Sequence, residues 1–445
     1  MFDVVTGISE GFHDACKTII KDGKIVYAGH AERYSRIKND KHLHPDMPET
    51  EGVTVFYEKP FLKNTRRLYA GQSWKKRGKY DFTVPHHWSH ASASYYTRPF
   101  ALKEPVCVVI DAIGEWDTAS IWWRKKKVWS MKYPTSLGLF YSAITRHIGL
   151  KPNEDEFITM CLAAMGDRNK YDFDPYLYYH KGYDFGEGRK EDIAASAQRI
   201  LEDEILKIME KARSYSPYLC YSGGVALNCV ANTKIKRMFD DMWIFPNPSD
   251  GGSSLGAAIS ALELGPYRTL QIDNMFLGHE IKGELDVAKV VQNLVQYKTC
   301  GVANGKAEFG PRALGNRSLL ADPRVDNIKD VVNKVKNRQG YRPFSPAILE
   351  EYASEYFTGP MNEYMQYVSH AEHDYQGVMH VDGTSRVQVV KDDGSNMRRV
   401  LEAWYEKTKC PMLLNTSLNI KGKPIVNNER DAKEFEKVTK VPVVT

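Results

Sequence analysis

The chain has 445 residues, more than one ordinary core holds, so two domains are predicted. Its hydrophobic content of 42% and aromatic content of 11% exclude a disordered protein. No apolar run approaches the roughly 20 residues of a membrane-spanning helix. The chain has seven scattered cysteines without a Cys-x-x-Cys pair, and its N-terminal region is not basic. We therefore expect a soluble, cytoplasmic protein with no membrane partner.

The first part of the chain is predicted to contain two β-hairpin units. The first unit comprises the strand-like runs VVTGIS and ACKTIIKDGKIVYAGHAE, and its Asp22-Gly23 pair favours a two-residue hairpin turn. The second unit is PVCVVIDAIGEWDTASIWW, in which a glycine turn again separates two apolar strands. Because helical material lies between the units, we predict a duplicated α/β architecture.

The net charge of +5 is concentrated in short basic runs, at residues 75–79 and 124–127. The second run lies between tryptophans. Cations interleaved with aromatic residues suit a polyanion whose bases stack. The alternative is a lysine-rich hairpin tip, and the sequence leaves both interpretations open.

Helices are predicted where apolar residues recur at helical spacing. The predicted ranges are 89–96, 139–148, 193–211, 227–238 and 284–296. A loop at 265–278 precedes the last of these helices, so we expect one domain over residues 1–270 and another over residues 271–445.

His86 and His90 are four residues apart in HHWSH, which places both imidazoles on one face of a helix. This is a ligand spacing for a metal, and carboxylates from elsewhere must complete the site. The candidates are Asp111, which ends an apolar strand, and Asp250, which lies in a glycine turn. Such ligands suit divalent iron, manganese or zinc. The alternative is a pair of surface histidines.

Two glycine turns precede predicted helices, at Gly223-Gly224 and at Gly251-Gly252. Asn228 closely follows the first turn. Backbone N–H groups at the start of a helix bind phosphate well, so both turns are candidate nucleotide contacts. Ordinary strand-to-helix turns also use glycine, and each turn alone is a weak signal.

The segment EFGPRALGNRSLLADPR, residues 308–324, combines cations with turn-forming glycine and proline. Its cations Arg312, Arg317 and Arg324, with nearby Lys306, predict an anion site, whereas the alternative is a solvated basic loop. Further cations and neutral hydrogen-bonding residues follow: Lys336, Arg338, Arg342, Arg386, Asn415, Ser417 and Asn419. This mixture fits a phosphate joined to a small amide-like group.

Nine segments along the chain resemble the NodU/CmcH family of O-carbamoyltransferases. They are GFHDACKTIIKDGKIV, AERYSRIKND, VPHHWSHASASYY, SGGVALN, PSDGGSSLGAA, EFGPRALGNRSLLADPR, KNRQGYRPFSPA, HVDGTSRVQ and PMLLNTSLNIKGKPIV. Lys336-Asn337-Arg338 and Ser417-Leu418-Asn419 also resemble the KxR and SxN signatures of YrdC domains. The resemblance implies a duplicated actin-like (ASKHA) N-terminal domain, residues 1–270, fused to an α/β YrdC-like C-terminal domain, residues 271–445.

The resemblance also implies an ATP-dependent O-carbamoyltransferase that works in two steps. The YrdC-like domain would convert carbamoyl phosphate and ATP, with Mg²⁺, to carbamoyl-adenylate through the catalytic residues Lys336 and Arg338. Its other expected ligands for phosphate or for the carbamoyl group are Arg312, Arg342, Arg386, Asn415, Ser417 and Asn419. The actin-like domain would then transfer the carbamoyl group to an acceptor hydroxyl.

Site residues of the actin-like domain follow from the same resemblance. His86, His90, Asp111 and Asp250 match the family's metal ligands, which usually hold iron, Fe²⁺. His13 matches the histidine of an HDA segment and is a plausible general base, although it could instead cap a turn. The nucleotide contacts would be Gly223, Gly224, Asn228, Gly251 and Gly252.

The acceptor stays open. One candidate is a small sugar or antibiotic-type hydroxyl. The basic runs, the tryptophans and a shortened stretch between Asp40 and Val84 favour another, a 5-hydroxymethyl pyrimidine base in DNA, which would be flipped out of a duplex. Carbamoylation of tRNA and a non-catalytic nucleotide-binding protein are further alternatives. A homodimer is among the expected assemblies.

Overall fold

The computed structural model describes residues 2–99, 103–180, 182–262, 264 and 269–445. The chain divides into two compact units. The first comprises Met1–Ala28 and Lys41–Asp273, and the second comprises Gly29–Asp40 and Asn274–Thr445. Among the described residues, no helix has the length and apolar character needed to cross a membrane.

The elements up to residue 262 belong mainly to the first unit. The strands are β1 (Val4–Ser9), β2 (Cys16–Lys21), β3 (Lys24–His30), β4 (Val53–Phe56), β5 (Phe82–Thr83), β6 (Val106–Ile110), β7 (Asp117–Trp123), β8 (Lys126–Lys132), β9 (Tyr218–Ser222) and β10 (Asp241–Ile244). The helices are α1 (Glu32–Ser35), α2 (Pro60–Tyr69), α3 (His86–Thr97), α4 (Leu137–His147), α5 (Glu156–Ala163), α6 (Lys190–Arg213), α7 (Cys229–Lys236) and α8 (Asp250–Ala261). A 3₁₀ turn covers Gly224–Leu227.

Two five-stranded sheets of the first unit share one topology. Their strand orders are β3-β2-β1-β4-β5 and β8-β7-β6-β9-β10. In the first sheet, β1 pairs antiparallel with β2 and parallel with β4. In the second sheet, β6 pairs antiparallel with β7 and parallel with β9. The duplicated α/β architecture predicted from the two hairpin units is confirmed.

Both hairpin turns have the backbone that a tight two-residue turn requires. Asp22 and Gly23 have φ values of 48° and 73° between β2 and β3, which matches the turn predicted there. Arg124 and Lys125 have φ values of 49° and 63° between β7 and β8. The basic run at 124–127 is therefore a hairpin tip, and Lys127 in it forms an ion pair with Asp117.

The predicted helices are present, with shifted ends. The helix predicted at 89–96 begins at His86, so both histidines lie on it. The helix predicted at 227–238 is interrupted because the Asn228 side chain caps α7, accepting a hydrogen bond from the Ala231 backbone. Of the predicted loop at 265–278, residues 265–268 lie outside the described part, and a strand occupies the end of the loop.

The remaining elements form the second unit. The strands are β11 (Phe276–Ile281), β12 (Thr299–Ala303), β13 (Gly305–Glu308), β14 (Arg317–Ala321), β15 (Ser345–Leu349), β16 (Phe357–Thr358), β17 (Ser369–Ala371), β18 (Thr384–Ser385), β19 (Gln388–Val390), β20 (Met412–Ser417) and β21 (Val443–Val444). The helices are α9 (Val287–Tyr297), α10 (Ile328–Val335), α11 (Glu350–Tyr356), α12 (Asn396–Thr408) and α13 (Glu429–Thr439).

The main sheet of the second unit has six strands in the order β19-β15-β20-β14-β12-β21. Central strand β20 runs antiparallel to both of its neighbours, β14 and β15. The sheet packs against an apolar core that includes Leu294, Ile348 and the fully buried Trp404. This packing fixes β20, whose last residues carry predicted site side chains.

The segment Gly29–Asp40 is tied to the second unit by Arg36. Its guanidinium lies 3.1 Å from the Asp431 carboxylate. It also donates hydrogen bonds to the backbone carbonyls of Pro424, at 3.2 Å, and Ile425, at 2.8 Å. The sequence predicted one boundary between residues 270 and 271, which would leave this segment in the first domain. The structure groups the segment with the second unit.

Candidate active site

Four buried side chains of the first unit, all predicted as metal ligands, meet at one point: His86, His90, Asp111 and Asp250. The histidines lie on the first turns of α3, one aspartate follows β6, and the other begins α8. Helices α3 and α8 approach closely because Gly256 has no side chain. A Cβ atom at Gly256 would lie only 1.7 Å from the Ser89 carbonyl oxygen.

The histidine–aspartate and histidine–histidine distances within this cluster are those of ligands around a single metal ion, and all four ligand atoms lie within 4.8 Å of one another. His86 Nε2 lies 3.0 Å from Asp111 Oδ2 and 3.5 Å from Asp250 Oδ1. His90 Nε2 lies 3.6 Å and 3.3 Å from the same two oxygens. The two imidazole nitrogens are 3.2 Å apart. Ligands at about 2.0–2.2 Å from one metal would be separated by about 2.8–3.6 Å at octahedral or tetrahedral angles.

The electrostatics of the cluster favour a cation. Burial raises the pKa of Asp111 and of Asp250, but the neighbouring histidines outweigh it and hold both carboxyl groups below their usual range. Burial lowers the pKa of His90, but hydrogen bonds and charge attraction from the two aspartates raise it to about 9. A divalent cation would neutralise the two carboxylates, so this donor set fits Fe²⁺, Mn²⁺ or Zn²⁺.

The first glycine turn orients a member of this cluster. The Gly224 backbone N–H donates to Asp111 Oδ1 at 3.0 Å, which leaves Oδ2 facing the histidines. Gly223 has a φ of 94°, and a Cβ atom there would lie 2.2 Å from the Ile110 carbonyl oxygen. The backbone around Asp111 therefore requires glycine at position 223, whereas a Cβ atom at Gly224 would meet the Asp111 carboxylate at 2.9 Å. That Gly223 and Gly224 contact a nucleotide stays a prediction.

The other predicted nucleotide contacts lie in the first turn of α8 and at the start of α7. Gly251 and Gly252 form the first turn of α8, directly after Asp250. A Cβ atom at Gly252 would lie 1.8 Å from the Asn247 carbonyl oxygen. Asn228 caps α7 and exchanges two 3.0 Å hydrogen bonds with Gln198, so it is held by protein contacts.

His13, the predicted general base, is hydrogen-bonded to its neighbour Asp14. Its Nδ1 atom lies 3.0 Å from Asp14 Oδ2, and its side chain is 28% exposed. Burial lowers the pKa of His13. The hydrogen bond and charge of Asp14, with smaller contributions from Asp250 and Asp111, outweigh burial and raise this pKa to about 9.

In the second unit, the Lys336 ammonium group is held by residues at the end of β20. Lys336 Nζ donates to the Ser417 backbone carbonyl, to Ser417 Oγ at 3.3 Å, and to Asn419 Oδ1 and O at 2.9 and 3.0 Å. Burial, together with the charges of Arg338 and Arg342, lowers the pKa of Lys336 well below its usual range. The KxR and SxN elements therefore meet, and neutral oxygen atoms of the SxN element surround the ammonium group of Lys336.

The other predicted donor-site residues lie around the same sheet. The Arg338 guanidinium donates to Asn333 Oδ1 at 2.6 Å and lies 3.9 Å from the centre of the Phe344 ring. Arg386 Nε donates to Ser345 Oγ at 3.2 Å, and Ser345 is paired with Asn415 across the sheet.

Asn415 has the same orientation as Ser417, because residues two apart on a strand face the same way. Its amide group donates to Gln388 and to the carbonyl of Ala313, the residue after Arg312. The buried Asn415 Oδ1 atom has no hydrogen-bond partner among the described residues. Arg312 is half-buried.

Two family models match the chain. One, described as the carbamoyltransferase N-terminus, matches residues 50–184 and 178–259. The other, described as the carbamoyltransferase C-terminus, matches residues 291–445. Together they cover more than half of the chain. The chain belongs to the carbamoyltransferase family. The membership predicted from the nine segments is confirmed, and with it an enzyme that transfers carbamoyl groups.

Relatives of this carbamoyltransferase span most of its length. Nodulation protein NolO of Bradyrhizobium diazoefficiens is 34% identical over 67% of this chain and 65% of its own. Nodulation protein NolNO of Sinorhizobium fredii is 28% identical over 94% and 76%. A protein of Synechocystis sp. is 28% identical over 96% and 93%, in an alignment of 580 positions. That alignment is longer than this chain, so the Synechocystis relative has insertions that this carbamoyltransferase lacks.

Two solved structures resemble the carbamoyltransferase distantly. Component A of (R)-2-hydroxyglutaryl-CoA dehydratase from Acidaminococcus fermentans has a TM-score of 0.38 and 16% identity, over 58% of this chain and 96% of its own. HypF of T. kodakarensis has a TM-score of 0.35 and 12% identity, over 60% and 48%. These scores are too low to assign the fold, and the duplication rests on strand order alone.

The arginine-rich segment of the carbamoyltransferase has a partly structural role. Arg317 is fully buried, and its guanidinium donates to backbone carbonyls of five residues: His279, Asn304, Gly305, Asn316 and Asn427. Burial is the main cause that lowers the pKa of Arg317 to about 10. Arg324 forms two 2.8 Å hydrogen bonds with the Asp322 carboxylate. The prediction of an anion site is therefore wrong for these two arginines.

Sequence reasoning missed Glu115, which positions the metal-ligand cluster. Glu115 is buried, and its Oε1 atom accepts hydrogen bonds from the backbone N–H of His86, at 2.9 Å, and of Lys59, at 2.8 Å. A carboxylate at the start of α3 also interacts favourably with the helix dipole. The only sequence signal was an acidic residue four positions after Asp111 in a glycine turn.

Proposed function

We propose that this carbamoyltransferase forms carbamoyl-adenylate in its second unit, as a YrdC-like domain, and transfers the carbamoyl group in its first, as an actin-like domain. The observation that supports the proposal best is the buried Lys336. Its ammonium group has no carboxylate within 4.0 Å among the described residues, and it lies near the charges of Arg338 and Arg342. A bound phosphate would relieve this repulsion and restore the ordinary basicity of Lys336.

The proposed activation consumes ATP and water. Water hydrolyses carbamoyl phosphate to carbamate and phosphate. A carbamate oxygen then forms a bond to the α-phosphorus of ATP, the bond from that phosphorus to the bridging oxygen breaks, and pyrophosphate leaves with Mg²⁺. The cations proposed to stabilise the phosphates are Arg312, Lys336, Arg338, Arg342 and Arg386. The neutral groups proposed to orient the carbamoyl group are Asn415, Ser417 and Asn419.

The proposed transfer takes place beside the metal-ligand cluster. Neutral His13 accepts the proton of the acceptor hydroxyl, the hydroxyl oxygen forms a bond to the carbamoyl carbon, and AMP leaves with the electron pair of the broken C–O bond. A divalent metal held by the cluster, Fe²⁺ in our proposal, would supply positive charge for the departing phosphate. The proposed adenylate contacts are Gly223, Gly224, Asn228, Gly251 and Gly252.

The proposed acceptor is a 5-hydroxymethyl pyrimidine base of DNA. The aromatic and basic surface of α2 and of the loop that follows it favours this choice, since bases stack on aromatic rings while cations neutralise phosphates. A hydroxyl of a small sugar is the second candidate.

Pyrophosphate release tests the activation step. We expect the protein to release pyrophosphate from ATP only when carbamoyl phosphate is present, and Lys336→Met to abolish this release. A matched control is Lys407→Met, which removes a lysine from the last turn of α12. Carbamoyl-phosphate-dependent release that persists undiminished in Lys336→Met would contradict the assignment. Nucleoside mass analysis after incubation with hydroxymethylated DNA then tests the acceptor.

A further inference from the structure

A cavity of about 240 Å³ in the first unit has four cationic side chains among its otherwise neutral lining residues. Its charged walls come from Lys63, Arg66 and Arg67 of α2 and from Arg146 of α4. Ala112 and Ile113, which directly follow Asp111, form another wall, and Phe12 precedes the proposed base His13. No acidic side chain of the described residues lines the cavity.

Arg66 is the clearest sign that the cavity is built for a negatively charged ligand. Its side chain is only 4% exposed, and its Nε atom donates to the Glu115 backbone carbonyl at 3.1 Å. Among the residues described, no hydrogen bond engages its two terminal nitrogens, and no carboxylate lies within 4.0 Å of them. A buried guanidinium without an ion-pair partner is costly unless an anion reaches it.

The cations around the cavity repel one another. Burial and the charges of Arg67, Arg77 and other nearby cations lower the pKa of Lys75. Burial is the main cause of the lowered pKa of Arg67, and the charge of Arg77 adds to it. Glu58 offsets part of this charge by pairing with Lys63 and, at 3.4 Å, with Arg77. The remaining positive charge disfavours a cationic acceptor and favours a phosphate.

Aromatic side chains lie close to these cations. Phe61 and Tyr69 of α2 are each 66% exposed, and Trp74 is 51% exposed, with its ring in edge contact with Phe61 at 6.0 Å. Tyr178 is stacked on His180, a residue of the cavity wall, at 6.0 Å. Exposed rings beside cations are the arrangement that binds nucleotide bases and their phosphates together.

The cavity is joined to the metal-ligand cluster by Glu115. The backbone carbonyl of this residue binds Arg66, while its carboxylate binds the N–H group of His86. A ligand held by Arg66 therefore lies next to the loop that carries Asp111. This placement suits the molecule that receives the carbamoyl group.

We propose that this cavity binds the acceptor and that the acceptor bears a phosphate, which Arg66 and Arg67 recognise. The proposal rests on the proposed carbamoyl transfer and adds the chemical class of the substrate: a hydroxymethyl pyrimidine nucleotide, free or within a DNA strand. The volume is below the roughly 300–1,000 Å³ of pockets for drug-sized ligands. It therefore suits one base or sugar and not a whole polysaccharide.

The test compares acceptors that differ in charge, with the full-length protein and saturating carbamoyl phosphate and ATP. The acceptors are 5-hydroxymethyl-deoxycytidine, its 5′-monophosphate, a single-stranded oligonucleotide that contains this base, and the cationic aminoglycoside tobramycin. We expect kcat/KM for a phosphate-bearing acceptor to exceed that for the neutral nucleoside by about tenfold or more. Preference for the monophosphate identifies a free nucleotide, and preference for the oligonucleotide identifies DNA.

Variants assign the effect to the cavity. Arg66→Gln is expected to lower kcat/KM for the phosphate-bearing acceptor by about ten- to a hundredfold, mainly through KM, because a charge-assisted contact is lost. Arg66→Lys keeps the positive charge but not the two parallel N–H donors of the guanidinium, so it should recover part of the lost kcat/KM. Arg67→Gln changes a half-exposed side chain and serves if Arg66→Gln does not fold. Arg189→Gln, 68% exposed, is the matched control.

Two results would overturn the acceptor site. One is a neutral nucleoside or aminoglycoside that is carbamoylated as well as the nucleotide. The other is an Arg66→Gln variant whose KM for ATP rises in the pyrophosphate assay while its acceptor KM stays constant. Calorimetric titration of the monophosphate in the absence of ATP separates the two proposals. If the protein binds the monophosphate only when Arg66 is present, yet releases no pyrophosphate, the result would support the acceptor cavity and refute the activation step.

Discussion

A single methyl group at Gly224 tests whether the glycine turn orients the metal ligand. The Gly224 N–H donates to Asp111 Oδ1 at 3.0 Å, and the Cβ atom of an alanine would lie 2.9 Å from that oxygen. This separation is shorter than an ordinary carbon–oxygen contact, so the carboxylate must move by a few tenths of an ångström. Gly224→Ala therefore misplaces Asp111 Oδ2 relative to the two histidines.

The magnitude follows from the hydrogen bond that is weakened. A hydrogen bond to a charged group contributes about 1.5–3 kcal/mol, and loss of a partner that orients a metal ligand typically costs about 10–100-fold in affinity. We expect Gly224→Ala to weaken divalent metal binding by that factor. Asp111→Asn, which removes a ligand charge, should have a larger effect.

The assay is calorimetric titration of metal-free protein with Fe²⁺ under anaerobic conditions, repeated with Mn²⁺ and Zn²⁺. Gly340→Ala is a matched control because the nearest atom to its Cβ would be 3.9 Å away. Thermal unfolding of the metal-free variants shows whether the fold is intact. A Gly224→Ala variant that folds and binds metal with unchanged affinity would refute this reasoning.

Three further predictions concern other parts of the chain. Arg317→Met leaves several buried carbonyls without a donor and should lower the free energy of unfolding by about 4 kcal/mol or more. Arg324→Met should lower it by about 1 kcal/mol or less, and urea denaturation measures both values. Because the base must be neutral and the pKa of His13 is raised to about 9, kcat/KM should increase with pH below that value. Asp14→Asn removes the hydrogen bond and charge that raise this pKa, so the pH profile should move to lower pH, and an unmoved profile argues against His13 as the base. Lys336→Met should abolish pyrophosphate release while Fe²⁺ titration of the first unit stays unchanged, and loss of both would indicate general misfolding.

The duplicated fold could be predicted because its signals are local. The Asp22-Gly23 turn and the apolar strands around it depend on residues adjacent in sequence. His86 and His90 were also recognised locally, since helical spacing alone puts them on one face. Their carboxylate partners were candidates only. Asp250 reaches the histidines through the packing of α3 against α8, which depends on Gly256, and Asp111 reaches them from the end of β6.

The arginines show what residue type alone does not decide. Arg317 and Arg66 are both buried and always charged, yet Arg317 is surrounded by backbone carbonyls and Arg66 lines a cavity. Only the three-dimensional surroundings distinguish a guanidinium that holds loops together from one that faces a ligand. The same reason explains why Glu115 was missed, since its partners are backbone N–H groups that no sequence pattern marks.

The placement of Gly29–Asp40 has an evolutionary consequence. The chain begins in the first unit, contributes residues 29–40 to the second, returns to the first, and belongs to the second from residue 274 onward. A recombination event with a single crossover near residue 273 would therefore separate Arg36 from Asp431, its ion-pair partner. The two units of this carbamoyltransferase are expected to have been inherited together and exchanged rarely, because neither can be replaced as one contiguous stretch of gene.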